Sequence, residues 1–319
     1  MRRRTGPDRG PTLDPAMREI IAQLSVPPPP APPGEDPLTA RRRVFVERAG
    51  WFAGSPAALA SVTDLSVPGA EGPVRARLYD PSGTPGLPLL VYAHGGGWIV
   101  GDLDSHDSVC RILARSGRCL VLSVDYRCAP EHPLPAAHAD VAAVWGALGS
   151  GLAIPGWDGQ RLAIGGDSAG GHIAAVQALA VRTDPRLRGQ VLIYPVTDAR
   201  TDTVGYRRPE LGATLTAAEM VWYWETACPD PAVRWSAEMS PVLRTDLAGA
   251  PPAFLAVAAV DPLRPEGRAY AAALRAAGVE VEVADARGLA HGFARMTGAL
   301  PGARRTLERA GAFLRRRFA

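Results

Sequence analysis

The chain has 319 residues, 47% of them hydrophobic and 21% charged, enough to bury a large core. A net charge of +3 is too small to point to nucleic acid, and the absence of both lysine and asparagine, beside abundant Ala, Gly and Pro, reads as GC-rich coding more than as a binding adaptation. No apolar stretch approaches the roughly 18 to 20 residues of a membrane span, so a membrane partner is excluded on this reading.

The basic amino terminus lacks the apolar core of a secretory signal, and a cytoplasmic location is expected. Residues 13–24 read as a short amphipathic helix, with Met17, Ile20, Ile21 and Leu24 at helical spacing. Residues 26–37 are a proline-rich connector, and a second cap segment begins near Leu38. The catalytic domain is expected to start near Thr63, giving a cap and connector over 1–62 and a catalytic domain over 63–319. Residues 74–79 alternate like a strand, and 89–92 form the next one.

Directly after it stands His94-Gly95-Gly96-Gly97-Trp98. Consecutive glycines let backbone N–H groups converge on one small atom without side-chain obstruction, as an oxyanion requires. Gly96 is the first candidate donor, with Gly95 and Gly97 beside it. A helix over 109–115, a strand over 120–124 and a helix over 137–148 follow. The strand 162–164 then leads into Gly166-Asp167-Ser168-Ala169-Gly170 and a helix-like stretch over 172–181. Glycines two residues before and after Ser168 suit a sharp turn between strand and helix that lifts its hydroxyl clear of the sheet. Ser168 is therefore the candidate nucleophile, and the N–H of Ala169 should complete the oxyanion hole. Alone, the pattern is equally compatible with an ordinary glycine turn.

After the strand 191–194 the alternation breaks between Asp198 and Val242, where Trp222, Tyr223 and Trp224 fall in a candidate inserted helix. Adjacent helical residues diverge in direction, so only one or two of the three can face a site; with Trp98 they are the candidate pocket wall. The opposing reading is that they pin the cap to the body. The strand 254–257 precedes Asp261, a helix covers 267–277, the strand 279–283 precedes His291, and a last helix covers 304–316. Only His172 and His291 lie beyond Ser168 in the chain; His172 sits on a helix leading away from the elbow, so His291 is the candidate base. The acid should sit at a strand end on the same edge: Asp261 qualifies first, then Asp198, then Asp285.

These motifs resemble the hormone-sensitive-lipase-like family of α/β-hydrolases, bacterial carboxylesterases with an N-terminal cap. The resemblance runs from about Leu13 to the carboxyl end. It rests on residues 94–98, on Asp125-Tyr126-Arg127-Cys128-Ala129-Pro130-Glu131-His132-Pro133, on residues 165–171, on Asp261-Pro262-Leu263-Arg264 and on His291-Gly292-Phe293. It implies an α/β-hydrolase fold: a doubly wound, mostly parallel sheet, a helical cap from the N-terminus, and a cap insertion of about residues 199–240 after the sixth strand. It implies Ser168, Asp261 and His291 as the triad, and so favours Asp261 over Asp198. Two departures stand out: His172 where the family usually has Asn, and Pro265 where it usually has an acid.

The function read from these residues is a serine carboxylesterase acting on small, short-chain acyl esters through an acyl-enzyme. An amidase, lactonase or acyltransferase with the same triad, or a ligand-binding relative without turnover, are the alternatives. No cofactor is expected, and no metal, since Cys110, Cys119, Cys128 and Cys228 show neither a C-x-x-C pair nor nearby metal-type histidine spacing. The partner is a small-molecule ester, with a homodimer left open.

Overall fold

The computed structural model describes residues 12–319. In chain order its elements are α1 (Pro15–Leu24), α2 (Pro37–Ala53), β1 (Ser61–Gly69), β2 (Gly72–Asp80), β3 (Leu87–Ala93), α3 (Asp107–Gly117), β4 (Leu120–Val124), α4 (Ala136–Gly149) and β5 (Trp157–Asp167). There follow α5 (Ala169–Ala180), β6 (Leu187–Ile193), α6 (Ala217–Ala227), α7 (Pro231–Arg234), β7 (Ala253–Val260), α8 (Arg264–Ala276), β8 (Val281–Ala290) and α9 (Pro301–Phe318).

Eight strands form one sheet in the order β1-β2-β4-β3-β5-β6-β7-β8. From β4 to β8 every neighbouring pair is parallel, while β2 is antiparallel to both β1 and β4. Side chains alternate between two cores, as a pleated strand covered on both faces demands. In β3, Leu89, Val91 and Ala93 join α4, α5 and α8 on one face; Leu90 and Tyr92 join α3 and α9 on the other. This is the α/β-hydrolase architecture expected from the sequence. Because the chain winds one way from β3 to β4 and the other way from β3 to β5, the loops after β3 and β5 meet at the switch point, where a crevice forms.

Two differences from the sequence reading have physical causes. The hairpin strand β1 was not expected: it lies at the sheet edge, only Val67 in it is buried, and Pro68 breaks its pattern, so no apolar alternation marks it. With β1 counted, six strands precede the insertion. Strand β8 was expected over 279–283 but runs on to Ala290, because polar Asp285 and Arg287 alternate outward on an edge strand whose inner residues Ala284 and Ala286 are small. That extension carries the chain to His291.

The first two helices are tied to this body by caps and long side chains. Asp14 accepts from the Ala16 N–H at 2.9 Å and its own N–H donates to the Gly288 carbonyl of β8 at 2.8 Å. From α2, Arg42 donates to the carbonyls of Ile99 and Ala129, each at 2.9 Å, fixing the helix against the loop that follows β3. Among the described residues no helix is long and apolar enough to cross a membrane.

Candidate active site

At the end of β5 the backbone turns abruptly. Ser168 has φ +54° and ψ −120°, a conformation that costs on the order of 1–3 kcal/mol for a residue with a side chain. The neighbours make the turn feasible: a Cβ on Gly166 would lie 2.3 Å from the Gly170 carbonyl oxygen, and one on Gly170 would lie 2.0 Å from that of Ala93. The Ser168 N–H donates to the Ile193 carbonyl at 2.9 Å, locking the elbow to the next strand.

β8 and β7 deliver the other two groups. His291 Nε2 is 2.9 Å from Ser168 Oγ, and its Nδ1 is 2.7 Å from Asp261 Oδ2. Asp261 is fully buried, and its Oδ1 accepts from the Leu263 N–H at 2.8 Å. Thr214, from the insertion, donates to the His291 carbonyl at 2.9 Å. The competing candidates lie elsewhere. Asp198 is paired with Arg200 at 2.6 Å, and Asp285 with Arg268 and Arg264. His172 is buried under the elbow between His138 Nε2 at 3.2 Å and the Met239 carbonyl at 3.1 Å, edge-on to Trp98 and Trp224.

The glycine loop differs from the sequence reading at one position. The Gly95 N–H already donates to Asp167 Oδ1 at 2.9 Å, with His106 Nε2 at 3.2 Å, so it points into the protein and not at the site. Among the described residues nothing accepts from the N–H of Gly96, Gly97 or Ala169, the last because the first N–H groups of a helix have no partner within it. Gly96 and Gly97 have φ of +130° and +61°. A Cβ on Gly96 would lie 1.9 Å from the Val100 carbonyl oxygen, and one on Gly97 would lie 2.0 Å from the Tyr223 ring.

Sequence reasoning passed over what holds this loop. Asp167 is buried beneath it and accepts from Tyr92 Oη at 2.8 Å as well as from Gly95, with His106 and Tyr194 Oη each at 3.3 Å. Burial alone would raise its pKa, but His106, the Tyr92 hydroxyl and the more distant Arg295 together hold it below the ordinary carboxylate range. The available signal was a carboxylate at the end of a buried strand, where an aspartate is tolerated only if fully satisfied.

A cavity of about 120 Å³ adjoins Ser168 and His291, walled by the glycine loop, Trp98, Tyr194, Met220 and Tyr223. Of the four candidate wall residues, Trp98 and Tyr223 line it; Trp222 and Trp224 do not. The 100° step between neighbours on α6 turns Trp224 into the core against Trp98, at 4.5 Å between rings, and Trp222 outward under the Arg41 guanidinium at 4.1 Å. Arg295, another residue unmarked by the sequence reading, also lines the cavity. Among the described residues no group of three or more His, Cys, Asp or Glu side chains could hold a metal ion.

The chain is similar to known proteins over most of its length. A profile of the α/β-hydrolase fold matches residues 90–295. The carboxylic ester hydrolase LipN of Mycobacterium tuberculosis is 41% identical over 304 residues, covering 89% of this chain and 77% of LipN. The ethyl acetate hydrolase of Pseudomonas putida is 39% identical over 264 residues, covering 80% of this chain and 82% of its own. An esterase structure from Pyrobaculum calidifontis superposes with a TM-score of 0.86 at 34% identity, over 95% of this chain and 98% of that one. The chain therefore belongs to the hormone-sensitive-lipase-like carboxylic ester hydrolases of the α/β-hydrolase fold.

Proposed function

We propose that the protein is a serine carboxylesterase for small, short-chain acyl esters, with Ser168 as nucleophile, His291 as general base and acid, and Asp261 as the orienting carboxylate. The observation that carries this reading is the unbroken contact chain from Asp261 through His291 to Ser168 Oγ, ending on a strained elbow beside a cavity. His291 Nε2 takes the Ser168 proton as Oγ bonds to the acyl carbon, and the carbonyl electron pair moves onto oxygen. The N–H groups of Gly96, Gly97 and Ala169 receive that oxyanion. The C–O bond to the leaving group then breaks, and the departing alcohol takes the proton from Nε2. Water repeats the sequence on the acyl-enzyme, releasing the acid and restoring Ser168 Oγ–H.

The cap completes the site in this reading. It comprises the segment through residue 62, described from residue 12, and the insertion of about residues 199–240. These supply Phe45 and Tyr223 to the cavity wall. A cavity of roughly 150 Å³ holds one benzene, so about 120 Å³ suits a short acyl group. The printed name of the Pseudomonas relative, an ethyl acetate hydrolase, supports the same size class.

Replacing Ser168 with alanine is expected to reduce turnover of p-nitrophenyl acetate by on the order of 10⁶-fold while leaving the thermal unfolding transition in place. An organophosphonate should label Ser168 in the parent protein. An adduct mapped by mass spectrometry to a different serine would remove the assignment.

A further inference from the structure

The cavity beside Ser168 borders a larger one of about 470 Å³ under α1, α2 and α6. The two share Leu24, Phe45, Thr214, Glu219, Tyr223 and Arg295 in their walls. Three guanidinium groups line the larger cavity, those of Arg41, Arg48 and Arg295, against the single carboxylate of Glu219. Glu219 is already engaged: its Oε2 accepts from the Thr216 N–H at 2.8 Å and from Thr216 Oγ1 at 2.9 Å, closing the capping box of α6. Among the described residues none of the three guanidinium groups forms an ion pair, in a chain where most other arginines near carboxylates do.

The three are not equivalent. Arg48 donates to the carbonyls of Leu24 and Val26 at 2.9 and 2.7 Å and so holds the end of α1. Arg41 lies over the Trp222 ring and reaches Tyr223 Oη at 3.4 Å. Arg295 is partly buried, sits 4.0 Å over the Phe45 ring, and donates no side-chain hydrogen bond to any described residue. Burial lowers its pKa, and Tyr194, Asp167 and Tyr223 only partly oppose that effect. Asp167 acts on it from beyond ion-pair distance, and its oxygens already face Tyr92, Gly95, His106 and Tyr194. A guanidinium carries five donors in a planar fork, and no described protein group takes up those of Arg295, which are left to solvent in the cavity or to a ligand. The ligand that matches that fork is a carboxylate, bound through two parallel N–H···O contacts.

We propose that the enzyme prefers esters that also carry a free carboxylate, such as half-esters of short dicarboxylic acids, with Arg295 as the residue that binds it. This deepens, and rests on, the carboxylesterase reading. Ser168 attacks the ester carbonyl as before, while the remote carboxylate reaches past Tyr223 to the Arg295 fork, in the added field of Arg41. The expected preference is modest, because the site is partly open and charge-assisted contacts there are screened.

The test compares matched pairs on each arm of the ester. Monoethyl glutarate is set against ethyl valerate, and 3-acetoxypropanoate against propyl acetate, with hydrolysis followed by pH-stat. The anionic member of at least one pair is expected to show kcat/KM about tenfold above its neutral analogue. That ratio should fall to near one in Arg295→Gln, stay partly above one in Arg295→Lys, and shrink in the parent enzyme as salt is raised from about 0.02 to about 0.5 M. A neutral preference on both arms, or a ratio that Arg295→Gln and salt leave unchanged, overturns the proposal. If Arg295→Gln does not fold, the salt dependence of the parent ratio and the Arg41→Gln ratio decide it. Calorimetry on the Ser168→Ala protein separates the two readings: monoethyl glutarate should bind about tenfold tighter than diethyl glutarate. Binding of that kind with no hydrolysis of any ester by the parent protein would remove the esterase reading and leave only the carboxylate-binding role of Arg295; equal binding of the two would remove that role.

Discussion

Among the described residues two carboxylate–imidazole pairs lie within one region of the sheet edge, in different surroundings. Asp261 and His291 meet at 2.7 Å, with the His291 side chain 11% exposed; Asp167 and His106 lie 3.3 Å apart with the histidine fully buried. The remaining nitrogen of His291 faces Ser168 Oγ and a cavity. Both nitrogens of His106 face inward, one toward Asp167 and Gly95, the other 3.0 Å from Ser105 Oγ. Pairing an acid with an imidazole is thus not what makes a base. What matters is whether the second nitrogen meets a nucleophile with room for a substrate beside it. The inner pair holds the glycine loop through the Gly95 N–H, and the loop lines the cavity beside the outer pair.

Substitutions should separate the two pairs most sharply. Asp261→Asn is expected to lower kcat by roughly 10⁴-fold with the fold retained, since it removes the charge that orients and stabilises the imidazolium. Asp198→Asn should leave kcat nearly unchanged, because the buried Asp198 carboxylate is engaged by the half-exposed Arg200 and not by His291. Steady-state kinetics on the two variants decides the matter, and equal losses would move the acid role. Asp167→Asn should cost less in rate, on the order of 10²-fold in kcat, the penalty of a displaced loop and not of a missing group. It should also alter stability. A carboxylate whose folded pKa is depressed adds stability that is present above its unfolded value of about 3.9 and is lost as pH falls through the folded value. The variant's unfolding temperature should therefore fall less steeply below pH 4 than the parent's.

Buried histidines lose stability in the same direction on acidification, but in a higher pH window. His172 and His94 are both fully buried, and burial lowers each from its ordinary 6.5 to about 4. The neutral ring is the form the fold favours, so the stability each contributes is whole above about pH 6.5 and is lost as pH drops toward 4. A shift of that size corresponds to roughly 3 kcal/mol per residue. His172→Asn should flatten the acid limb of an unfolding-temperature profile between pH 6.5 and 4. An acid limb identical to the parent's would show that His172 is not held neutral.

How much of this was legible in the chain follows from what each residue must satisfy. Gly96, Gly97, Gly166 and Gly170 were readable because an added Cβ would lie within about 2.3 Å of another atom at each, and the first two also have positive φ. The alternation of β3 to β7 was readable because both sheet faces are covered. The edge strands were not: β1 buries little, and β8 hides its inner face behind alanines. Gly95 was misassigned because a glycine run does not say which N–H turns inward; that depends on Asp167, a residue 72 positions away. Trp222 and Trp224 were grouped with Tyr223 by sequence proximity, although a helix sends consecutive side chains apart. Arg295 gave no sign at all, since an arginine four residues after a histidine is marked as unpaired only by the surroundings that leave it so.

The smallest expected effect concerns the wall that closes the outer pair's cavity. Each methylene buried in an apolar pocket adds about 0.8 kcal/mol of favourable transfer, so kcat/KM should rise from acetyl esters, peak at or before hexanoyl, and fall for decanoyl and longer chains once the wall is met. Tyr223 is the residue expected to set the limit: its ring lies so close to Gly97 that a Cβ there would be 2.0 Å away. Tyr223→Ala removes that ring without touching Ser168, His291 or the N–H donors, and it should move the optimum toward longer acyl groups by about two carbons, a few-fold change for each ester. A p-nitrophenyl series from acetate to palmitate measures both profiles. A continuous rise to palmitate in the parent, or activation at an emulsified triglyceride surface, would mean that the cavity opens onto lipid and that Tyr223 is not its end wall.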